Sequence, residues 1–128
     1  MKGILIAAHG SREKDTEGTL EVLAEKVRRI SGIGTLEIAF MQFSPRTIPA
    51  GLDALRAKGC TEVLLIPYFL FDGVHIREDI PQLISGYMAA NPGVHIRLGH
   101  TLGVDDRLAQ LLAEQATAAF ADGEEATR

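Results

Sequence analysis

Short apolar runs of strand length alternate four times with longer amphipathic segments, the runs falling at residues 3–8, 36–40, 63–67 and 94–98. A run such as Gly3-Ile4-Leu5-Ile6-Ala7-Ala8 has no polar face, so it fits a strand covered on both sides rather than one facing water. Strands separated by helices must connect by crossovers, which are right-handed. The expected fold is therefore α/β: a three-layer αβα sandwich with a four-stranded parallel sheet in the flavodoxin-like order 2-1-3-4. A chain of 128 residues holds one such domain, expected over residues 1–121. The remainder, residues 122–128, offers nothing to bury and is expected to be a flexible tail.

The helices carry their own punctuation. In the first, Leu20, Leu23, Ala24, Val27 and Ile30 recur at helical spacing, Glu25 and Arg29 form an i,i+4 pair, and Gly32 with Gly34 ends the element. The second starts at Thr47 as N-cap, buries Ile48, Leu52 and Leu55, and stops at Gly59. The third begins near Asp79, tolerates Pro81 in its first turn and packs Leu83, Ile84, Tyr87 and Met88. The fourth is capped by Asp105 or Asp106 and is expected to pack Leu108, Leu111, Leu112 and Phe120.

Charge and cysteine usage narrow the function classes. Lys and Arg number 13 against 17 Asp and Glu, a formal net charge of −4, with no long run of like charge, so no nucleic-acid footprint is visible. The single cysteine, Cys60, has no partner for an internal disulfide, and it leads into the third strand where a buried inert thiol is expected. No apolar run is long enough for a signal peptide or a membrane span, which makes a cytoplasmic, membrane-free location the expectation.

In a doubly wound sheet, ligands bind outside the carboxyl ends of the strands. Here those ends carry His9-Gly10-Ser11-Arg12, Met41-Gln42-Phe43, the stretch Tyr68 to His75, and Gly99-His100-Thr101. His9, His75 and His100 share that edge, whereas His95 lies inside the fourth strand and reads as a packed or edge-strand residue. A strand-end histidine can simply cap its strand, and a loop histidine can simply be solvated. Two imidazoles on one edge also fit metal binding or acid–base work. The aromatics Tyr68, Phe69 and Phe71 either close a buried strand or line the face of a large planar ligand. Arg12, Arg46 and Arg77 lie beside the same loops and either pair with ligand carboxylates or only face solvent.

Phosphate chemistry lacks its parts. Neither G-x-x-x-x-G-K-[ST] nor G-x-G-x-x-G follows the first strand, and Ala8 stands where histidine phosphatases place an arginine before His-Gly. A flavodoxin-like phosphate or cofactor module is thereby disfavoured.

The runs Ala7-Ala8-His9-Gly10-Ser11-Arg12 and Ala39-Phe40-Met41-Gln42-Phe43-Ser44, the stretch from Pro67 through Phe71-Asp72-Gly73-Val74-His75 to Pro81, and Leu102-Gly103-Val104-Asp105 together resemble the short sirohydrochlorin chelatases. These are class II enzymes that insert cobalt, and in relatives nickel or iron, into a reduced tetrapyrrole. The resemblance spans nearly the whole chain. It implies that His9 and His75 are the catalytic and metal-handling pair, with His9 also the proton acceptor. It implies that Arg46, Leu70, Phe71, Asp72, Gly73, Val74 and His75 contact sirohydrochlorin. It further implies a homodimer with no permanently bound cofactor, the divalent metal (Co²⁺, Ni²⁺ or Fe²⁺) being a substrate. Imidazole chemistry agrees, since it suits these ions and accepts protons near neutrality.

The chain departs from the family pattern at Gln42, where many relatives carry glutamate, and an amide cannot accept a proton as a carboxylate does. Thr101, preceded by His100, replaces the family's proline, and His100 is a candidate to compensate for Gln42. A non-catalytic metal or tetrapyrrole carrier on the same fold is the alternative function.

Overall fold

The computed structural model describes residues 1–13 and 15–122, so the expected tail beyond Asp122 lies outside the described residues. The elements run β1 (Lys2–Ala8), α1 (Thr16–Ser31), β2 (Leu36–Phe40), α2 (Ile48–Ala57), β3 (Glu62–Pro67), a π-helical turn (His75–Asp79), α3 (Ile80–Ala90), β4 (His95–Leu98) and α4 (Asp106–Ala121). The sheet is four-stranded in the order β2-β1-β3-β4, and every pairing is parallel, as expected.

β1 is central. Ile4 and Ile6 pair with Leu36 and Ile38 on one side and with Leu64 and Ile66 on the other. Its two faces feed separate cores. Leu5 and Ala7 pack with Ile48, Leu52 and Leu55 of α2 and Ile80 and Ile84 of α3. Ile4 and Ile6 pack with Leu20 and Ala24 of α1 and with Leu36, Ile38 and Phe40. Each fully buried Leu, Ile or Phe contributes about 1.5–3 kcal/mol relative to exposure, which is why the all-apolar reading of this strand determines its central place.

The helix ends follow their local chemistry. Thr47 accepts the Ala50 N–H at 3.2 Å, Asp105 accepts the Arg107 N–H at 2.8 Å, and Gly32 takes φ 73° while donating to Arg28 O. Glu25 and Arg29 pair at 3.6 Å. Cys60 is buried. His95 is exposed on the edge strand.

Two expectations need correction. Ile30, at the last turn of α1, is exposed because the sheet beneath has already ended at Leu36. More consequentially, α4 buries none of its residues, and Leu111, Leu112 and Phe120 are exposed rather than packed. An apolar stripe reveals which face of a helix seeks cover, but not whose surface supplies it. Among the described residues, no helix is long and apolar enough to cross a membrane.

Candidate active site

The carboxyl edge is knitted around the end of β1. Tyr68 N–H donates to Ala7 O at 2.7 Å, Met41 N–H to Ala8 O at 2.9 Å, and Gln42 N–H to His9 O at 3.1 Å. These bonds hold His9 at the top of the central strand, between the loops that follow β2 and β3. Gly10 makes that crossing possible: its φ is +92°, and a Cβ there would sit 2.1 Å from Gln42 O. Only glycine fits such a contact without displacing the loop.

His9 is exposed, and its ring stacks on Phe69 with centroids 4.1 Å apart and planes 14° from parallel. Phe69 is only 7% exposed and belongs to the core under α2 and α3, so it is a fixed platform. Face-to-face stacking holds the imidazole parallel to the phenyl ring and so fixes the plane in which its two nitrogens lie. Phe69 was legible only as one of several aromatics. Its parity with Val63, Leu65 and Pro67, the inward-facing residues of β3, is the signal that singles it out.

Around this histidine lies an apolar rim. Tyr68, Leu70, Phe71 and Val74 from the loop after β3, with Phe43 from the loop after β2, are each between 44% and 74% exposed. Large apolar side chains grouped at one edge mark a binding surface for an apolar face. The rim is braced from β4. Leu102 N–H donates to Phe69 O at 2.9 Å, Gly103 N–H to Leu70 O at 2.8 Å, and the Thr101 hydroxyl to Asp72 Oδ1 at 3.0 Å. Arg77 N–H donates to Gly73 O at 2.9 Å as the chain enters the π-helical turn, which His75 opens. Single π-turns recur at functional sites because the widened turn re-aims its residues.

Leu70, Phe71, Asp72, Gly73, Val74 and the backbone of His75 thus share one edge with His9. Arg46 is different. Its guanidinium pairs with Glu21 at 3.2 Å and with Glu37, the second residue of β2, at 3.7 Å, so it lies along the outer side of that strand. Arg12 lies at the rim, 4.7 Å above the Phe43 ring, and Phe43 itself holds φ 62°, a conformation uncommon without glycine. Gln42 and His100 are both exposed on this edge, His100 next to the Thr101–Asp72 bond.

A family model described as CbiX matches residues 3–119. The chain belongs to the CbiX family. Among solved structures it is similar to a CbiX protein from Marinobacter aquaeolei described as a putative cobalamin biosynthesis protein, with 27% identity and a TM-score of 0.80 over 95% of this chain and 99% of that one. It is also similar to the sirohydrochlorin chelatase SirB from Bacillus subtilis subspecies spizizenii in complex with cobalt, with 25% identity and a TM-score of 0.84 over 91% of this chain and 50% of that one. A curated relative, the sirohydrochlorin ferrochelatase of Priestia megaterium, is 28% identical over 90% of this chain and 43% of its own length. The CbiX chain described here thus spans less than half of that relative. The sirohydrochlorin cobaltochelatase of Sulfurisphaera tokodaii is 27% identical and matches end to end more fully, over 90% of this chain and 91% of its own length.

Proposed function

We propose that this CbiX chain is a sirohydrochlorin chelatase that inserts a divalent metal into the tetrapyrrole, Co²⁺ foremost, with Ni²⁺ or Fe²⁺ as alternatives. The observation that carries the reading is His9 stacked on a buried phenyl ring at the centre of an exposed apolar rim. A flat macrocycle has an apolar face to lay on that rim and ring nitrogens to bring to that imidazole.

Insertion breaks two pyrrole N–H bonds and releases two protons as the metal loses water and gains ring nitrogens. In this proposal His9 accepts one of these protons and solvent water takes the other, and His9 with His75 handles the incoming metal. Two neutral-nitrogen donors suit Co²⁺, Ni²⁺ and Fe²⁺ and leave the ion exchangeable, as delivery requires. Leu70, Phe71, Gly73 and Val74 support the macrocycle. Asp72, tied to Thr101, fixes their loop. Arg46 serves the substrate's carboxylates by exchanging Glu21 and Glu37 for them, a swap between partners of one charge.

The rim covers one side of a broad disc, and a second copy supplies the other side. We therefore include a homodimer with its two carboxyl edges facing each other, consistent with the prevalence of cyclic pairs. A reducing cytoplasm suits the buried, unpaired Cys60.

The test is anaerobic absorbance spectroscopy of sirohydrochlorin with the protein and each of Co²⁺, Ni²⁺ and Fe²⁺. Metal-insertion spectra should develop faster than the spontaneous reaction, and His9→Ala should lose about a hundredfold or more of the acceleration, the scale of positioned acid–base catalysis. Binding without acceleration would replace this reading by the carrier, which the exposed amide of Gln42 favours; Gln42→Glu would then be the variant expected to gain turnover.

A further inference from the structure

Two side chains of the loop after β1 rest on aromatic rings. His9 lies on Phe69, and a little farther along the same loop the guanidinium carbon of Arg12 stands 4.7 Å from the centre of the Phe43 ring. Both members of the second pair sit at the tips of tied bends. Around Arg12, the Ser11 hydroxyl accepts the Glu13 N–H at 3.0 Å. Around Phe43, Gln42 N–H donates to His9 O at 3.1 Å, the Ser44 hydroxyl donates to Glu17, and Arg46 N–H donates to Ser44 Oγ at 3.0 Å.

These ties leave Phe43 at φ 62°, and among the described residues every other positive φ belongs to glycine. An aromatic residue is a poor choice there, since glycine or asparagine meets the left-handed conformation with less strain. With the ring 52% exposed, burial recovers only part of that cost, and what the ring carries is Arg12. Strain held in this way marks a position kept for what its side chain does.

The charge of Arg12 is uncommitted. Arg28, Arg29, Arg46, Arg56 and Arg107 each pair with a carboxylate at 3.8 Å or less. Arg12 is exposed, with the exposed acids Glu13 and Asp15 close in the chain, yet among the described residues it forms an ion pair with neither. A ring face attracts the cation but offers no lone pair to its N–H donors. The guanidinium is thereby held in place with its planar fork open to a carboxylate. Arg77 shares the edge but has no ring beneath it among the described residues, and Arg46 must first give up Glu21 and Glu37.

We propose that Arg12, carried on Phe43, is a specificity-determining residue that receives a peripheral carboxylate of the macrocycle whose nitrogens face His9. A carboxylated tetrapyrrole has its nitrogens at the centre and its acid arms on the perimeter. A disc centred on His9 therefore sends an arm outward to Arg12, which the chain places at most about 11 Å farther on. Arg12 selects an acidic macrocycle and fixes its rotation about His9, while proton and metal transfer stay with the histidines. The inference deepens the tetrapyrrole reading above and rests on it.

Equilibrium titration of metal-free sirohydrochlorin, followed anaerobically by absorbance, tests it without requiring turnover. Arg12→Gln keeps a polar side chain and should raise Kd about tenfold, the low end of what a hydrogen bond to a charged group supplies. Raising the ionic strength from about 0.05 M to about 0.5 M should weaken binding by the unmodified protein more than binding by the variant. Phe43→Gly removes the platform and accepts φ 62° without strain, so Tm should stay within about 3 °C while Kd rises severalfold. The double variant should bind at most about twofold worse than Arg12→Gln, because the ring acts through the cation. An unchanged Kd in Arg12→Gln would overturn the inference and leave the tetrapyrrole reading standing. Effects that multiply in the double variant would overturn the coupling of ring and cation. If the unmodified protein binds no sirohydrochlorin, the tetrapyrrole reading fails and the inference fails with it.

Discussion

The imidazole of His9 rests on the phenyl ring of Phe69, 4.1 Å between centroids and 14° from parallel, joining a solvent-exposed functional group to a ring that is part of the core. The relationship gives the histidine a defined plane without a rigid covalent tether. Phe69→Leu keeps an apolar filler and should cost about 1–2 kcal/mol in stability. It should lower the insertion rate severalfold, since His9 loses its orientation but not its chemistry. Comparing thermal unfolding with initial rates separates the two effects; an unchanged rate at reduced stability would confine Phe69 to packing.

Gly10 tests the crossing of the first two loops. Alanine there meets Gln42 O at 2.1 Å and must hold φ near +92°. The combined strain and displacement should cost about 2 kcal/mol or more, seen as a drop in Tm of about 5 °C or more. The insertion rate should fall as well, because the displaced atom belongs to the residue bonded to His9 O.

The bond between Thr101 and Asp72 joins the loops after β3 and β4. Thr101→Val preserves shape and removes the donor, a change of about 0.5–1.5 kcal/mol. The expected result is a KM for sirohydrochlorin raised roughly two- to tenfold with kcat little altered, because the bond braces the rim and not the proton acceptor. Steady-state kinetics with a saturating metal concentration measure the split.

Tyr87 on α3 donates to Asp53 Oδ1 on α2 at 2.6 Å. Burial first, and then this bond to a carboxylate, hold the phenol above its ordinary value of 10.0. A group whose folded value is raised stabilises fully below its unfolded value and loses that contribution as pH rises through the folded one. The link between α2 and α3 should therefore be intact at neutral pH and weaken only above about pH 10. With two tyrosines in the chain, a tyrosinate absorbance titration resolves the step, and Tyr87→Phe should remove it.

Much of the edge was readable before folding because its residues are tied to strand ends. His9 follows an unbroken apolar run, and the stretch from Leu70 to His75 follows Pro67, so a parallel sheet brings them to one side by topology. Arg46 shows where that logic stops. Its place in a loop after β2 was legible, but a long flexible side chain goes to the nearest carboxylates, here Glu37 on the strand it follows and Glu21 on α1, 25 residues away.

The linear pattern determined the strands, their parallel order, most helix caps and the edge on which chemistry sits, because periodicity and capping act over a few residues and right-handed crossovers leave little topological choice. Only the tertiary structure decided which ring lies under His9, which acids hold Arg46, and that α4 stands clear of its own sheet. Those outcomes depend on which surfaces meet in three dimensions, and hydrophobic burial, being non-directional, does not record in the sequence whose surface an apolar stripe will find.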